Sequence, residues 1–134
     1  MKIIILKGAK GSGKTTLAEY LHKLYKNSKI CKHIQDIDET LDYNIFDGIQ
    51  DDEIEPIFNM ENAKVYYFNL KVNDVNVFDE REVEKDKSII QQKAYEEDFY
   101  RYVENYKDKV VFYMLTSDQN IEDTKIDLLT ILKN

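Results

Sequence analysis

One short segment near the start of the sequence combines glycine, lysine and threonine at a spacing that suits phosphate binding. It reads Gly8-Ala9-Lys10-Gly11-Ser12-Gly13-Lys14-Thr15 and matches the pattern GxxxxGK[ST] throughout. Glycine permits the positive backbone dihedral angles that bring successive N–H groups within reach of phosphate oxygens. A glycine turn that merely joins two elements is the alternative. The full match favours a phosphate-binding loop.

The side chains at the end of this loop suit a nucleoside triphosphate with its metal ion. A helix that begins near Lys14 would add unpaired N–H donors and the positive end of its dipole. The Lys14 ammonium would then neutralise β- and γ-phosphate oxygens, and the Thr15 hydroxyl would ligate Mg²⁺. We therefore predict ATP and Mg²⁺ as cofactors. The predicted nucleotide-binding residues are Gly8, Ala9, Lys10, Gly11, Ser12, Gly13, Lys14, Thr15 and Thr16.

A magnesium site of this kind also needs an acidic partner, which usually follows a neighbouring strand. Asp36 and Asp38 follow the predicted second strand, and Asp118 follows the last strand as a weaker choice. Asp36 is nearer to its strand end, so we predict it as a catalytic residue together with Lys14. The predicted metal ligands are Thr15, Asp36 and Asp38. The alternative for the two aspartates is a polar loop in an acidic protein.

Phosphoryl transfer calls for cationic groups that hold the moving phosphate. Arg81 and Arg101 are the only arginines in the sequence. Arg81 lies in the charged segment 79–87, which could close over ATP as a lid, and we predict it as the third catalytic residue. A solvated charged surface is the alternative for this segment. Arg101 falls among exposed helix positions and is expected to pair with Glu97 or Glu104.

The rest of the pattern predicts strands and helices that alternate along the chain. Residues 2–7 form an apolar, β-branched run that is typical of a strand buried on both faces. Further strands are predicted at 29–35, 63–72 and 109–115, and helices at 14–26, 52–60, 86–107 and after residue 120. Residues 75–78 form either a hairpin strand or the start of a loop. This order predicts a three-layer α/β fold with a small, mainly parallel sheet of four to five strands.

The helix predicted at 86–107 has a clear apolar periodicity over about six turns. Its predicted buried face is formed by Ile89, Ile90, Ala94, Tyr95, Phe99, Tyr102, Val103 and Tyr106.

Composition limits the classes of partner and compartment. The 134 residues fit a single domain over 1–134, and the net charge of −7 opposes attraction to nucleic acid or an anionic membrane. We therefore expect a small-molecule acceptor, no membrane and no nucleic acid, with a homodimer left open. The opening apolar run is too short for a signal segment, which predicts a cytoplasmic protein. The single cysteine, Cys31, is predicted to be a buried or half-buried thiol.

With these residues, the chain resembles the P-loop kinase superfamily, and its C-terminal half is similar to the thymidylate kinase and deoxynucleoside kinase branch. The loop at 8–16 and the stretches 95–102, 110–113 and 117–122 carry the resemblance. It implies a P-loop NTPase fold and places Thr116 to Gln119 against the adenine. Asp36-Ile37-Asp38 with residues 54–58 is also similar to the Asp-x-Asp element of shikimate-type kinases, which serves Mg²⁺ and the acceptor hydroxyl.

The sequence departs from that branch in its middle. The branch carries an Asp-Arg pair at the end of a middle strand and a lid with arginines. No Asp-Arg pair occurs here, and the region from Asp36 to Lys64 is expected to be too short for the strand and its helices.

Three functions follow from these observations. The leading hypothesis is an ATP-dependent kinase that transfers the γ-phosphoryl group to a nucleoside, a nucleotide or another small acceptor. The second is a nucleotide-binding module that has lost transferase activity, because the middle strand is expected to be missing and arginine is scarce. The third is an NTPase coupled to a partner protein, with the acidic surface and the aromatic helix as its interface.

Overall fold

The structure is a computed structural model that describes residues 1–118 and 120–133. The strands are β1 (Lys2–Lys7), β2 (Ser28–Cys31), β3 (Tyr43–Asp47), β4 (Lys64–Lys71) and β5 (Val110–Thr116). The helices are α1 (Lys14–Leu24), α2 (Asp51–Phe58), α3 (Asn76–Glu80), α4 (Lys85–Tyr106) and α5 (Ile121–Lys133), with a 3₁₀ turn at Ile34–Asp36. No helix within the described ranges is long and apolar enough to cross a membrane.

The five strands form one sheet in the order β2-β3-β1-β4-β5, and every pair is parallel. β1 is central, since Ile4 lies opposite Ile45 of β3 on one side and Tyr66 of β4 on the other. Both faces of β1 are buried. The predicted α/β class, the mainly parallel sheet and its size are confirmed.

Helices cover both faces of the sheet and produce the three predicted layers. On one face, Leu17 and Leu21 of α1 and Leu128 of α5 pack against Ile4 and Leu6. On the other face, residues of α2 and α4 pack against β1 and β4. Because side chains alternate along a strand, Lys7 at the end of β1 follows Ile3 and Ile5 onto the face of α2 and α4.

The expectation that no middle strand fits between residues 36 and 64 is wrong. β3 and α2 both lie in that interval, and β3 pairs directly with β1. The strand escapes recognition because it is short and contains Asn44, which is fully buried. The Asn44 side chain accepts the Asp38 N–H at 2.9 Å and donates to the Asp38 carbonyl at 3.0 Å.

The segment at 75–78 forms neither a hairpin strand nor a plain loop, because it enters the short helix α3. The Asp74 carboxylate accepts the Asn76 N–H, and the Asp74 carbonyl accepts the Val77 N–H, which starts the helical turn. Val77 and Phe78 then pack against Ala9 of the glycine loop. This short helix therefore supports the loop from one side.

The predicted apolar face of α4 is correct in the C-terminal half of the helix and only partly correct in its N-terminal half, where Ile89 packs against the cluster that contains Ala9 and Phe78. Phe99 and Tyr102 are buried, whereas Ile90 is 70% exposed. Ser88 and Gln92 are buried instead, although both are polar. Ser88 donates to the Lys10 carbonyl at 2.8 Å, and Gln92 bonds both the N–H and the carbonyl of Val72, at 2.8 and 2.7 Å. Here α4 crosses the strand ends, where backbone groups need polar partners.

The Cys31 thiol is buried, as predicted. Its sulfur lies 3.7 Å from both the Asp36 carbonyl and the Asn44 side-chain oxygen. Burial raises the pKa of this thiol to about 11. The side chain therefore belongs to the interior and is not a reactive thiolate.

Candidate nucleotide-binding site

The glycine loop joins the end of β1 to the start of α1 and has the backbone of an anion-binding turn. Gly11 and Gly13 have φ angles of +88° and +94°, which residues with a side chain rarely adopt. A Cβ on Gly11 would lie 2.7 Å from the Val83 side chain, so the loop is closely covered at this point. α1 begins at Lys14 and has no acidic residue in its first turn. No side chain caps the start of α1, so its first N–H groups are suited to an anion.

A cleft of about 450 Å³ opens against this loop, a volume within the usual range for ligand sites. Its lining consists of Lys10, Gly11, Gly13, Lys14, Thr15, Thr16, Arg81 and Ile121. Of the other predicted nucleotide-binding residues, Ala9 and Ser12 are fully buried within the loop, and the Ser12 hydroxyl has no partner among the described residues. Gly8 contributes its carbonyl to the site, as described next.

Lys14 lies folded back on the loop, where its ammonium donates to the Gly8 carbonyl at 3.0 Å. Burial lowers the pKa of Lys14, the nearby Asp47 carboxylate opposes this shift, and the charge of Lys7 adds to it. The ammonium is therefore electrostatically destabilised in the free protein. An incoming phosphate would relieve this cost, which suits a phosphate-binding lysine.

Asp47, at the carboxyl end of β3, brings an acidic group to the loop. Its Oδ2 accepts a hydrogen bond of 2.8 Å from the Thr15 hydroxyl, and its buried Oδ1 has no partner among the described residues. A threonine hydroxyl and a carboxylate supply the oxygen ligands that Mg²⁺ prefers. These residues fit the predicted metal ion. The sequence offered a signal, an aspartate ending a strand, but the strand itself was not recognised.

The structure gives Asp36 and Asp38 local partners and records no contact of either carboxylate with the described part of the loop. Asp36 accepts the N–H groups of His33 and Lys32, and these bonds lower the pKa of its carboxyl group. Asp38 accepts the hydroxyl and N–H of Thr40, which lowers its pKa likewise. Both carboxylates close turns beyond β2. A metal role for Asp36 and Asp38 therefore remains a prediction. Asp47 is better placed for that role.

Arg81, which was predicted as a catalytic residue on a lid, contacts the glycine loop, and its catalytic role stays a prediction. The guanidinium donates to the Gly11 carbonyl at 2.7 Å and to the Ser117 carbonyl at 2.5 Å. It thus joins the glycine loop to the segment after β5 and lines the cleft between them. Arg101 pairs with Asp98 at 3.2 Å, and not with Glu97 or Glu104 as expected.

Comparison with solved structures identifies the fold. Deoxyadenosine kinase from M. mycoides with bound dATP superposes with a TM-score of 0.69 at 14% sequence identity, over 100% of each chain. The chain has the fold of the P-loop nucleoside and nucleotide kinases. The same kinase with bound dCTP gives a TM-score of 0.66 over 99% of each chain, and thymidylate kinase from Ehrlichia chaffeensis gives 0.52 over 98% of each, both at 14% identity. No protein-family model and no curated protein sequence matches the chain.

Within this kinase fold, the end of the middle strand departs from the pattern that the resemblance implies. β3 ends at Asp47 and Gly48 follows it, so an aspartate stands at the strand end with a glycine, and not an arginine, after it. Gly48 has a φ angle of +76°, and a Cβ there would lie 3.4 Å from Cε of Lys14. The glycine lets the backbone approach the Lys14 side chain, and no arginine projects from this position.

Proposed function

We propose that this protein binds Mg²⁺-ATP at the glycine loop and transfers the γ-phosphoryl group to a nucleoside or nucleotide. The contact of Asp47 with Thr15, which lines the same cleft as Lys14, is the observation that carries this proposal. The kinase fold supports it, since the structures that resemble the chain are those of kinases.

Each group in the cleft has a defined task in this proposal. The loop N–H groups and the start of α1 would bind the β- and γ-phosphates, with Lys14 neutralising their charge. Thr15 and Asp47 would hold Mg²⁺, which supplies charge neutralisation on the phosphate oxygens when bound. Arg81 would fix the loop against the segment after β5. An acceptor oxygen would bond to the γ-phosphorus as the bond from the γ-phosphorus to the bridging oxygen breaks and ADP leaves. Where the acceptor is a nucleoside hydroxyl, its proton would go to solvent.

The nature of the acceptor is proposed from the structural neighbours. The M. mycoides deoxyadenosine kinase has been observed with dATP, with dCTP and with dCMP. We infer that deoxynucleosides and their monophosphates are the first acceptors to test.

The experiment has a binding step and a turnover step. Calorimetry and thermal unfolding with Mg²⁺-ATP and Mg²⁺-GTP test binding, and a nucleotide at a hundred times its Kd should add about 2.7 kcal/mol to the unfolding free energy. A panel of nucleosides and monophosphates is then assayed for ADP, with Lys14→Ala as the matched control. Failure of both nucleotides to bind, or turnover that survives Lys14→Ala, would overturn the proposal.

A nucleotide-binding module without transferase activity is the second candidate. The glycine at position 48, where the resemblance implies an arginine, favours it. Tight binding of ATP with no acceptor-dependent ADP would support this module. ADP formation without an acceptor, increased by a partner protein, would instead support an NTPase.

A further inference from the structure

Lys7, the last residue of β1, is a buried cation that the proposed function has not used. The residue is 6% exposed, and lysine is rarely buried unless it is paired. Its ammonium donates to the Ile49 carbonyl at 2.9 Å and to the Asp51 carboxylate at 3.1 Å. It also lies 4.6 Å from the centre of the Tyr95 ring.

These contacts hold the ammonium in place but neutralise it weakly. The Asp51 side chain is 71% exposed, so water screens its attraction for Lys7. The Ile49 carbonyl and the Tyr95 ring carry only partial charge. An ammonium has three N–H donors, of which the two hydrogen bonds use two. The third N–H donor of Lys7 therefore has no hydrogen-bond acceptor among the described residues and could serve a further anionic group.

The end of β3 and the two residues after it connect Lys7 with two of the phosphate-binding residues. Asp47 accepts a hydrogen bond from Thr15, a Cβ on Gly48 would lie 3.4 Å from Cε of Lys14, and the Ile49 carbonyl accepts a hydrogen bond from Lys7. The charge of Lys7 also contributes to the lowered pKa of Lys14. Two mutually repelling ammonium groups thus lie along residues 47–49, and one of them, Lys14, lines the cleft.

We propose that the Lys7 ammonium contacts the γ-phosphate of a bound nucleoside triphosphate. This inference rests on the proposed function, because it places the triphosphate at the loop. A γ-phosphate would accept the remaining donor of Lys7 and relieve its repulsion with Lys14. Since Gly48 offers no side-chain cation at the end of the middle strand, Lys7 supplies the second positive charge on this side of the site.

The contact is tested by comparing Mg²⁺-ATP with Mg²⁺-ADP, which lacks the γ-phosphate. In calorimetry, Lys7→Met should raise the Kd for ATP about tenfold, the worth of one charge-assisted hydrogen bond, and change that for ADP by no more than about twofold. Lys7→Arg should retain most of the affinity for ATP. Asp51→Asn is the matched control, because it removes the ion pair and keeps the Lys7 charge.

Each outcome either supports or overturns the contact between Lys7 and the γ-phosphate. An unchanged ratio of ATP to ADP affinity in Lys7→Met, or an equal loss in Asp51→Asn, would mean that Lys7 only anchors α2 to β1. If Lys7→Met does not unfold cooperatively, Lys7→Gln replaces it under the same criterion. Wild-type protein that binds neither nucleotide overturns the proposed function as well. Wild-type binding with an unchanged ratio in the variant overturns only the role of Lys7.

Discussion

Replacing Asp47 by asparagine should separate magnesium-dependent from magnesium-independent nucleotide binding. The Asp47 carboxylate accepts a 2.8 Å hydrogen bond from Thr15, and its second oxygen has no partner in the described part of the chain. Asparagine keeps the shape of the side chain and removes its charge. A hydrogen bond to a charged group contributes about 1.5–3 kcal/mol, which is roughly a ten- to hundredfold change in affinity. We expect Asp47→Asn to weaken Mg²⁺-ATP binding by that factor.

The sign should reverse when the metal is removed. With EDTA present, no metal ion remains for the carboxylate to hold, and its negative charge repels the phosphates. Metal-free ATP should therefore bind Asp47→Asn as well as the wild type, or more tightly. Calorimetry with and without Mg²⁺ measures both values.

The aspartates predicted from the sequence provide the control for this experiment. Asp36→Asn and Asp38→Asn should leave Mg²⁺-ATP affinity unchanged, because their carboxylates bond to nearby backbone groups and to Thr40. Equal losses for Asp47→Asn with and without Mg²⁺ would refute a metal role for Asp47. A magnesium-specific loss in Asp36→Asn would restore the earlier prediction.

Three further predictions concern the loop and the core. Gly11→Ala should lower the unfolding free energy by more than about 1 kcal/mol, because the φ angle of Gly11 is +88° and the Val83 side chain leaves no room for a Cβ. In urea unfolding, the additional change Val83→Ala should recover part of this loss. Burial lowers the pKa of Lys14, so the unfolded chain binds that proton more tightly, and the contribution of Lys14 to the unfolding free energy should rise as the pH increases toward 10.5. Because the raised pKa of Cys31 acts in the opposite direction at alkaline pH, this contribution is measured as the difference in urea unfolding between the wild type and Lys14→Met. With a thiol pKa of about 11, Cys31 should react with a thiol reagent at neutral pH only after denaturation.

The sequence was sufficient to predict the elements whose signals are local. The apolar run of β1 and the glycine loop are continuous segments, and α1 begins where the loop pattern places it. β3 and the role of Asp47 could not be read in the same way. Asn44 interrupts the apolar run of β3. Its side chain is stabilised by hydrogen bonds to the backbone of Asp38, and the hydrophobic pattern of the sequence does not reveal such a contact.

The buried polar residues of α4 were missed for a related reason. Ser88 and Gln92 are polar in sequence, and they are buried only because Lys10 and Val72 offer backbone groups from distant segments. Arg81 was placed near the nucleotide by its charge alone. Its attachment to two carbonyls depends on how α3 leads the chain back over the loop.

The first half of α4 is held largely by hydrogen bonds and the second half by buried aromatic side chains, so the two halves should differ in local stability. Releasing Ser88 and Gln92 breaks a few hydrogen bonds that water can replace, whereas lifting Phe99 or Tyr102 would expose aromatic rings. Local opening should therefore start next to the glycine loop. Amide hydrogens at 85–92 should exchange with deuterium faster than those at 99–106. The N-terminal half of the helix would then open and close over the glycine loop while its C-terminal half stays packed in the core.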